Sequence, residues 1–196
     1  GNGIFPASKE ALKTPLGRII FPLALMTGFL LIGAYSFLGA YAVFAGLNAM
    51  QSGFILMSFG FAGLAAGRFG GAISTALGQR STLLLGATLA IVSTLLLAFF
   101  RSWELILLAS ILLGGAYIFL QSTLATAAFK VASEAKGLPS ALIGLALFGG
   151  GGLGSAFAGW LLSFGSYFIL WTVFAALELT LFAACCMAKK LRAQAS

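Results

Sequence analysis

The sequence has no histidine and no aspartate, only four glutamates, and charged residues fill just 8% of its 196 positions. Without His and Asp there is no Ser-His-Asp triad, no His-based zinc site, no paired-Asp magnesium site and no Ser-His dyad. An enzyme is therefore not expected, and neither is a metal or other cofactor. The two cysteines, Cys185 and Cys186, are adjacent in an apolar run close to a basic tail. They lack the Cys-x-x-Cys spacing and the further ligands of a metal or redox pair, and read as small buried residues. The scarcity of charge also excludes a water-facing surface of the usual kind, because soluble domains are about a quarter charged.

What is present in quantity is apolar: 61% of the residues are hydrophobic, and the mean hydropathy is +1.09. An α-helix rises about 1.5 Å per residue, so about 20 apolar residues cross the hydrocarbon core of a bilayer. Six stretches meet that length: residues 19–45, 52–73, 82–100, 105–129, 141–162 and 167–187. The first follows a basic, Pro-containing stretch and is too long for a signal peptide, so it reads as a retained span. The chain divides into a basic tail or linker (1–18), a transmembrane unit (19–188) and a second basic tail (189–196).

The formal net charge of +7 does not form a nucleic-acid footprint, because the basic residues sit between apolar runs without interleaved aromatics. With six spans, Lys9, Lys13, Arg18, Arg80, Lys130, Lys136, Lys189, Lys190 and Arg192 fall on one side; only Arg101 falls on the other. That asymmetry is the positive-inside pattern and predicts both tails on the cytoplasmic side of a cell membrane.

Helices in lipid associate by close packing of small residues. The second span carries Gly53, Gly60 and Gly67 at seven-residue spacing, joined by Gly63 and Gly71. The fifth carries the run 149–152, including Gly150, followed by Gly154, Ser155 and Gly159. These two spans are expected to make the closest helix contacts, either as packing within the bundle or as a sliding seam with a second unit. Polar groups within the spans are few. Tyr35 shares a helical face with Gly28 and Gly39, and Gln121 shares one with Gly114, Tyr117 and Ala125. Glu178 lies near the middle of the sixth span, as a proton carrier or as a hydrogen-bonded structural group. Arg68, in the second span, either meets a partner or reaches back toward the headgroups.

One stretch is more specific than hydropathy. Between the second and third spans, Gly71, Ile73, Ser74, Gly78 and Arg80 match a motif in position or type, while Thr75, Ala76 and Gln79 depart from it. This stretch resembles the signature of the major facilitator superfamily, which lies in the cytoplasmic turn between the second and third helices of a six-helix unit. Thr75 replaces the acidic member of that family's gate network. The segment from Lys136 through Gly159 is similar to the penultimate helix of drug-exporter-like members.

The resemblance implies an all-α membrane protein whose six transmembrane helices form two inverted three-helix repeats. Complete members have two such halves, and this chain begins with Gly rather than Met. It is therefore expected to be a C-terminal half of a longer chain, or a half-size protein acting as a homodimer. The resemblance also assigns roles. The first helix of each repeat lines a central cavity, the second forms the seam, and the third braces the outside. Tyr35, Tyr117 and Gln121 then become candidate substrate contacts. Gly71, Ser74, Gly78 and Arg80 become a degenerate gate motif, and Gly60, Gly63, Gly67, Gly150, Gly154 and Gly159 a seam. Glu178 falls on a brace, which counts against a coupling role. The function expected is alternating-access transport, of the efflux type, of a small lipophilic or amphiphilic solute. A non-transporting assembly or carrier factor on the same scaffold is the alternative.

Orientation is open to direct test. Single cysteines replacing Lys13 or Lys190 should react with an impermeant maleimide only from the cytoplasm, and one replacing Arg101 only from outside. Labelling of both tails from outside would end the tails-in reading.

Overall fold

The computed structural model describes residues 11–131 and 138–188. Lys9, Lys136, Lys189, Lys190 and Arg192, and with them most of both tail segments, lie outside the described residues. Within them the chain is all-α, with six helices long and apolar enough to cross a membrane. These are α1 (Gly17–Phe44), α2 (Ala49–Leu77), α3 (Gln79–Phe99), α4 (Trp103–Phe129), α5 (Leu138–Phe164) and α6 (Tyr167–Met187).

The breaks between helices follow local chemistry. Gly46, with a φ of 90°, turns the chain after α1, and Asn48 then caps α2. The Asn48 side chain accepts from the Gln51 N–H while the Gln51 side chain accepts from the Asn48 N–H, which satisfies two free donors of the first turn. Between α2 and α3 there is a single residue, Gly78, whose φ of 82° suits a residue without a side chain. The apolar run of the second span ends at residue 73, which sets the motif in a turn. Instead α2 runs four residues further, so Gly71, Ser74 and Thr75 are helical and only Gly78 turns. Nothing between Gly71 and Leu77 breaks a helix, and Thr75 Oγ1 donates to the Gly71 carbonyl at 2.9 Å.

Backbone-close contacts hold the bundle. On α1, a side chain at Gly28 would run into the Leu147 carbonyl, and one at Gly33 would meet Gly154 Cα at 3.0 Å. From the other side, Gly150 abuts the Leu25 carbonyl and Gly154 the Phe29 carbonyl. The α1 backbone is a π-helix over Gly28–Ile32, within this contact. In the same manner Gly114 of α4 abuts the Phe59 carbonyl of α2, and a side chain at Gly63 would stand 3.2 Å from Ile118. Both glycine-rich helices make close contacts within the unit, α5 with α1 and α2 with α4.

Polar side chains link the helices. Ser110 donates to the Ile55 carbonyl (2.6 Å, α4 to α2) and Ser93 to the Ala109 carbonyl (2.7 Å, α3 to α4). The Tyr41 hydroxyl reaches the Leu97 and Phe100 carbonyls at 2.7 and 2.9 Å, fastening α1 to the end of α3. Ser36 and Ser155 meet at 2.7 Å between α1 and α5.

Two glycines of α5 separate packing from mere composition. Gly154→Leu must displace the α1 backbone, and overpacking of this kind costs about 3 kcal/mol. Gly152 has no described residue within 4 Å of where a side chain would begin, so Gly152→Leu should cost no stability and should gain at most about 1 kcal/mol from helix propensity. Unfolding of the purified protein in detergent tests this; equal effects at the two positions would mean that α1 and α5 do not pack as described.

Candidate functional site

The site begins with close approaches. Because Gly114 has no side chain, α2 settles against α4 with the Phe59 backbone at the glycine. A side chain at Gly39 of α1 would stand 3.1 Å from Leu56, so α1 comes to the same part of α2. Phe59 then falls between two tyrosines. Its ring centroid is 4.3 Å from that of Tyr35 and 6.0 Å from that of Tyr117. Three helices thus contribute to one aromatic row.

Both tyrosines are half-buried, and no described residue gives either hydroxyl a hydrogen bond. Gln121 lies one turn beyond Tyr117, also half-buried and also without a hydrogen-bond partner among the described residues. Two of the three cavity candidates are therefore joined through Phe59, and the third is on the next turn of the same helix. Tyr35 and Phe59 line an open groove of about 370 Å³ with Leu56, Gly60 and Leu64. A larger apolar groove of about 600 Å³ runs between α2 and α4, lined by Phe54, Met57, Phe61, Trp103 and Leu107. Such walls select by shape and dispersion, with direction left to a few polar groups.

Sequence reasoning misses Phe59 because it is one of nineteen phenylalanines. Its place on α2 one turn before Gly63 is the available signal. The Ser36–Ser155 pair is missed as well; each serine looks like an ordinary small residue until α1 and α5 are brought together.

The proposed gate residues form a structural corner. Gly71 is exposed, Ser74 offers its carbonyl to the Gly78 N–H at 2.9 Å, and Gly78 makes the turn. Arg80 extends across to α6, where its Nη2 donates to the Cys186 carbonyl at 2.5 Å. A cation there satisfies one free carbonyl of the last turn and complements the negative end of the helix dipole. Arg80 therefore fastens the start of α3 to the end of α6.

Glu178 is fully buried between the same two helices. Its Oε2 accepts from Thr94 Oγ1 at 2.5 Å, while Oε1 has no hydrogen-bond partner among the described residues. It lines none of the grooves described above, and joins α6 to α3 as a second fastening.

The glycines assigned to a seam divide. Gly150 and Gly154 are buried against α1, Gly63 is buried against α4, and a side chain at Gly159 would stand 3.6 Å from Phe37. Gly60 meets no described residue within 4 Å, and a side chain at Gly67 would only graze Ile118 at 3.9 Å. The outward small faces are thus Gly60 and Gly67 on α2, and Gly149 and Gly152 on α5.

No family model matches the chain, and no curated protein matches it in sequence. The superfamily resemblance accordingly rests on the motif residues and the span pattern.

The Thr94–Glu178 bond predicts a particular pattern of stability. Thr94→Val strands a buried carboxyl, which costs about 1–3 kcal/mol. Adding Glu178→Met removes both partners and should recover most of that loss. Equal unfolding free energies for the single and double variants would show that the bond does not hold α3 to α6.

Proposed function

We propose that the chain is one six-helix half of a major facilitator superfamily transporter, moving a small lipophilic or amphiphilic solute by alternating access. The observation that carries this reading is the unequal enclosure of the helices. Only 11% of the apolar window of α2 and 33% of that of α5 are buried, against 39–56% for the other four. Those two are the helices that the resemblance sets at the seam with a second half. Their outward glycines are where another helix could approach closely.

On this reading α1 and α4 face the solute, with Phe59 and the two tyrosines as an apolar, aromatic wall. The Tyr35 and Tyr117 hydroxyls and the Gln121 amide supply direction, having no hydrogen-bond partners among the described residues. Helices α3 and α6, tied by Arg80–Cys186 and Thr94–Glu178, form the brace. Glu178 is enclosed within that brace, which supports a structural role over proton coupling. Between Ile19 and Phe44 on α1, and between Leu105 and Phe129 on α4, there is no charged residue. That favours an amphiphile over a sugar or dicarboxylate.

The test uses the complete native protein in proteoliposomes, with a pH gradient and either tetraphenylphosphonium or lactose as solute. Gradient-driven flux of the lipophilic ion without flux of the sugar is expected. Gln121→Ala should shift KM by about tenfold, the effect of one hydrogen bond, and Glu178→Gln should leave the pH profile unchanged. Absence of any amphiphile flux would reject transport, and loss of proton coupling with Glu178→Gln would bring α6 into the mechanism.

A further inference from the structure

The least enclosed helix also carries a charge that has no partner among the described residues. Arg68 lies inside α2, about 14 Å along the helix from its Leu77 end. It is exposed, and no described residue gives it a hydrogen bond or an ion pair. A helix turns about 100° per residue, which sets Gly53, Gly60, Leu64, Gly67, Arg68 and Gly71 on one strip. All six are exposed. Gly53, Gly60 and Gly71 have no described residue within 4 Å of where a side chain would stand.

We propose that this strip docks a transmembrane helix from a different segment, one that presents an Asp or Glu carboxylate to Arg68. The inference rests on the reading of the chain as one part of a two-part assembly, and adds the chemistry of the partner. Two properties of the strip point the same way. A lone guanidinium in hydrocarbon is costly and is normally paired. A row of open glycines lets a second backbone approach closely, whereas an acyl chain gains nothing from glycine that leucine would not give.

A second copy of this chain does not fit. Parallel pairing through the same strip sets Arg68 against Arg68, and like charges in a closed contact repel. The α5 face of another copy has no charged residue between Leu138 and Phe164. Glu178 is buried inside the unit, and Glu104 stands in the first turn of α4, beyond the Arg101 connection at the other end. The two remaining glutamates, Glu10 and Glu134, fall outside the apolar runs of the sequence. The carboxylate therefore comes from elsewhere, at the depth of Arg68.

The experiment places a photo-crosslinking amino acid at Leu64 of the complete protein in its native membrane, and sequences the crosslinked peptide. The expected product is one transmembrane segment with an acidic residue within a turn of the crosslink. Arg68→Glu should lower the yield at least about tenfold, and exchanging that acidic residue for Arg in the same protein should restore it, because the pair is merely reversed. Arg68→Leu should also lower the yield, without rescue by the exchange. Crosslinks to lipid alone, to a segment lacking a carboxylate, or to an unchanged extent in Arg68→Glu would overturn the proposal. None of these readouts measures flux, so a successful charge exchange in a protein that moves no solute would reject transport while leaving the docking surface standing.

Discussion

Helices in a bilayer gain almost nothing from burying leucine, since acyl chains are as apolar as the protein; what holds them is how closely their backbones approach. In this chain that constraint is met by glycine at a few positions. Gly28, Gly33, Gly150 and Gly154 bring α1 and α5 together, and Gly63 with Gly114 does so for α2 and α4. Gly86 admits α4 to α3, with the Leu120 side chain at 2.8 Å from the position a side chain would take. The remaining arrangement depends on these approaches. The aromatic row exists because Gly114 lets the Phe59 backbone reach α4, and the Ser36–Ser155 bond exists because Gly33 lets α5 reach α1.

Close approach brings polar groups into reach, and the chain uses its few hydroxyls across helices. Ser93, Ser110, Thr94 and Tyr41 all bridge neighbouring helices in the buried interior. Each such bond contributes on the order of 1 kcal/mol, and its larger effect is on specificity, because a slipped helix would leave its partner unpaired. The two fastenings between α3 and α6 lie well apart along those helices, at Thr94–Glu178 and at Arg80–Cys186. Together they set both the spacing and the register of the pair.

The six spans were legible because bilayer thickness fixes their length and the apolar composition marks them. The end of α2 was not, because residues 74–77 are polar enough to leave the apolar window while remaining compatible with a helix. The facing of the glycines was harder still. Four consecutive glycines from 149 to 152 point around nearly the whole circumference of α5, so sequence cannot say which of them meet α1. The structure selects Gly150 and Gly151, with Gly154, and leaves Gly149 and Gly152 outside. Tyr35, Tyr117 and Gln121 could be picked out as rare polar groups among apolar ones. Phe59 could not, since its own neighbourhood offers little that separates it from the other phenylalanines. The π-helix of α1 also leaves no periodic signature, although Gly28 and Gly33 bracket it.

These contacts bear on where motion can occur. A glycine pressed against a neighbouring carbonyl leaves no room for the helices to shift past each other, and α1–α5 and α2–α4 are both packed that way. Hydrogen bonds add links from α1 to α3, α3 to α4 and α3 to α6. Every one of the six helices is held to a neighbour by one of these contacts. On the transport reading, alternating access requires a second body, rocking against the face that this one leaves uncovered. On that reading the face comprises the outer sides of α2 and α5, where Gly60, Gly149 and Gly152 are open, and the docking proposed at Arg68 would set its register.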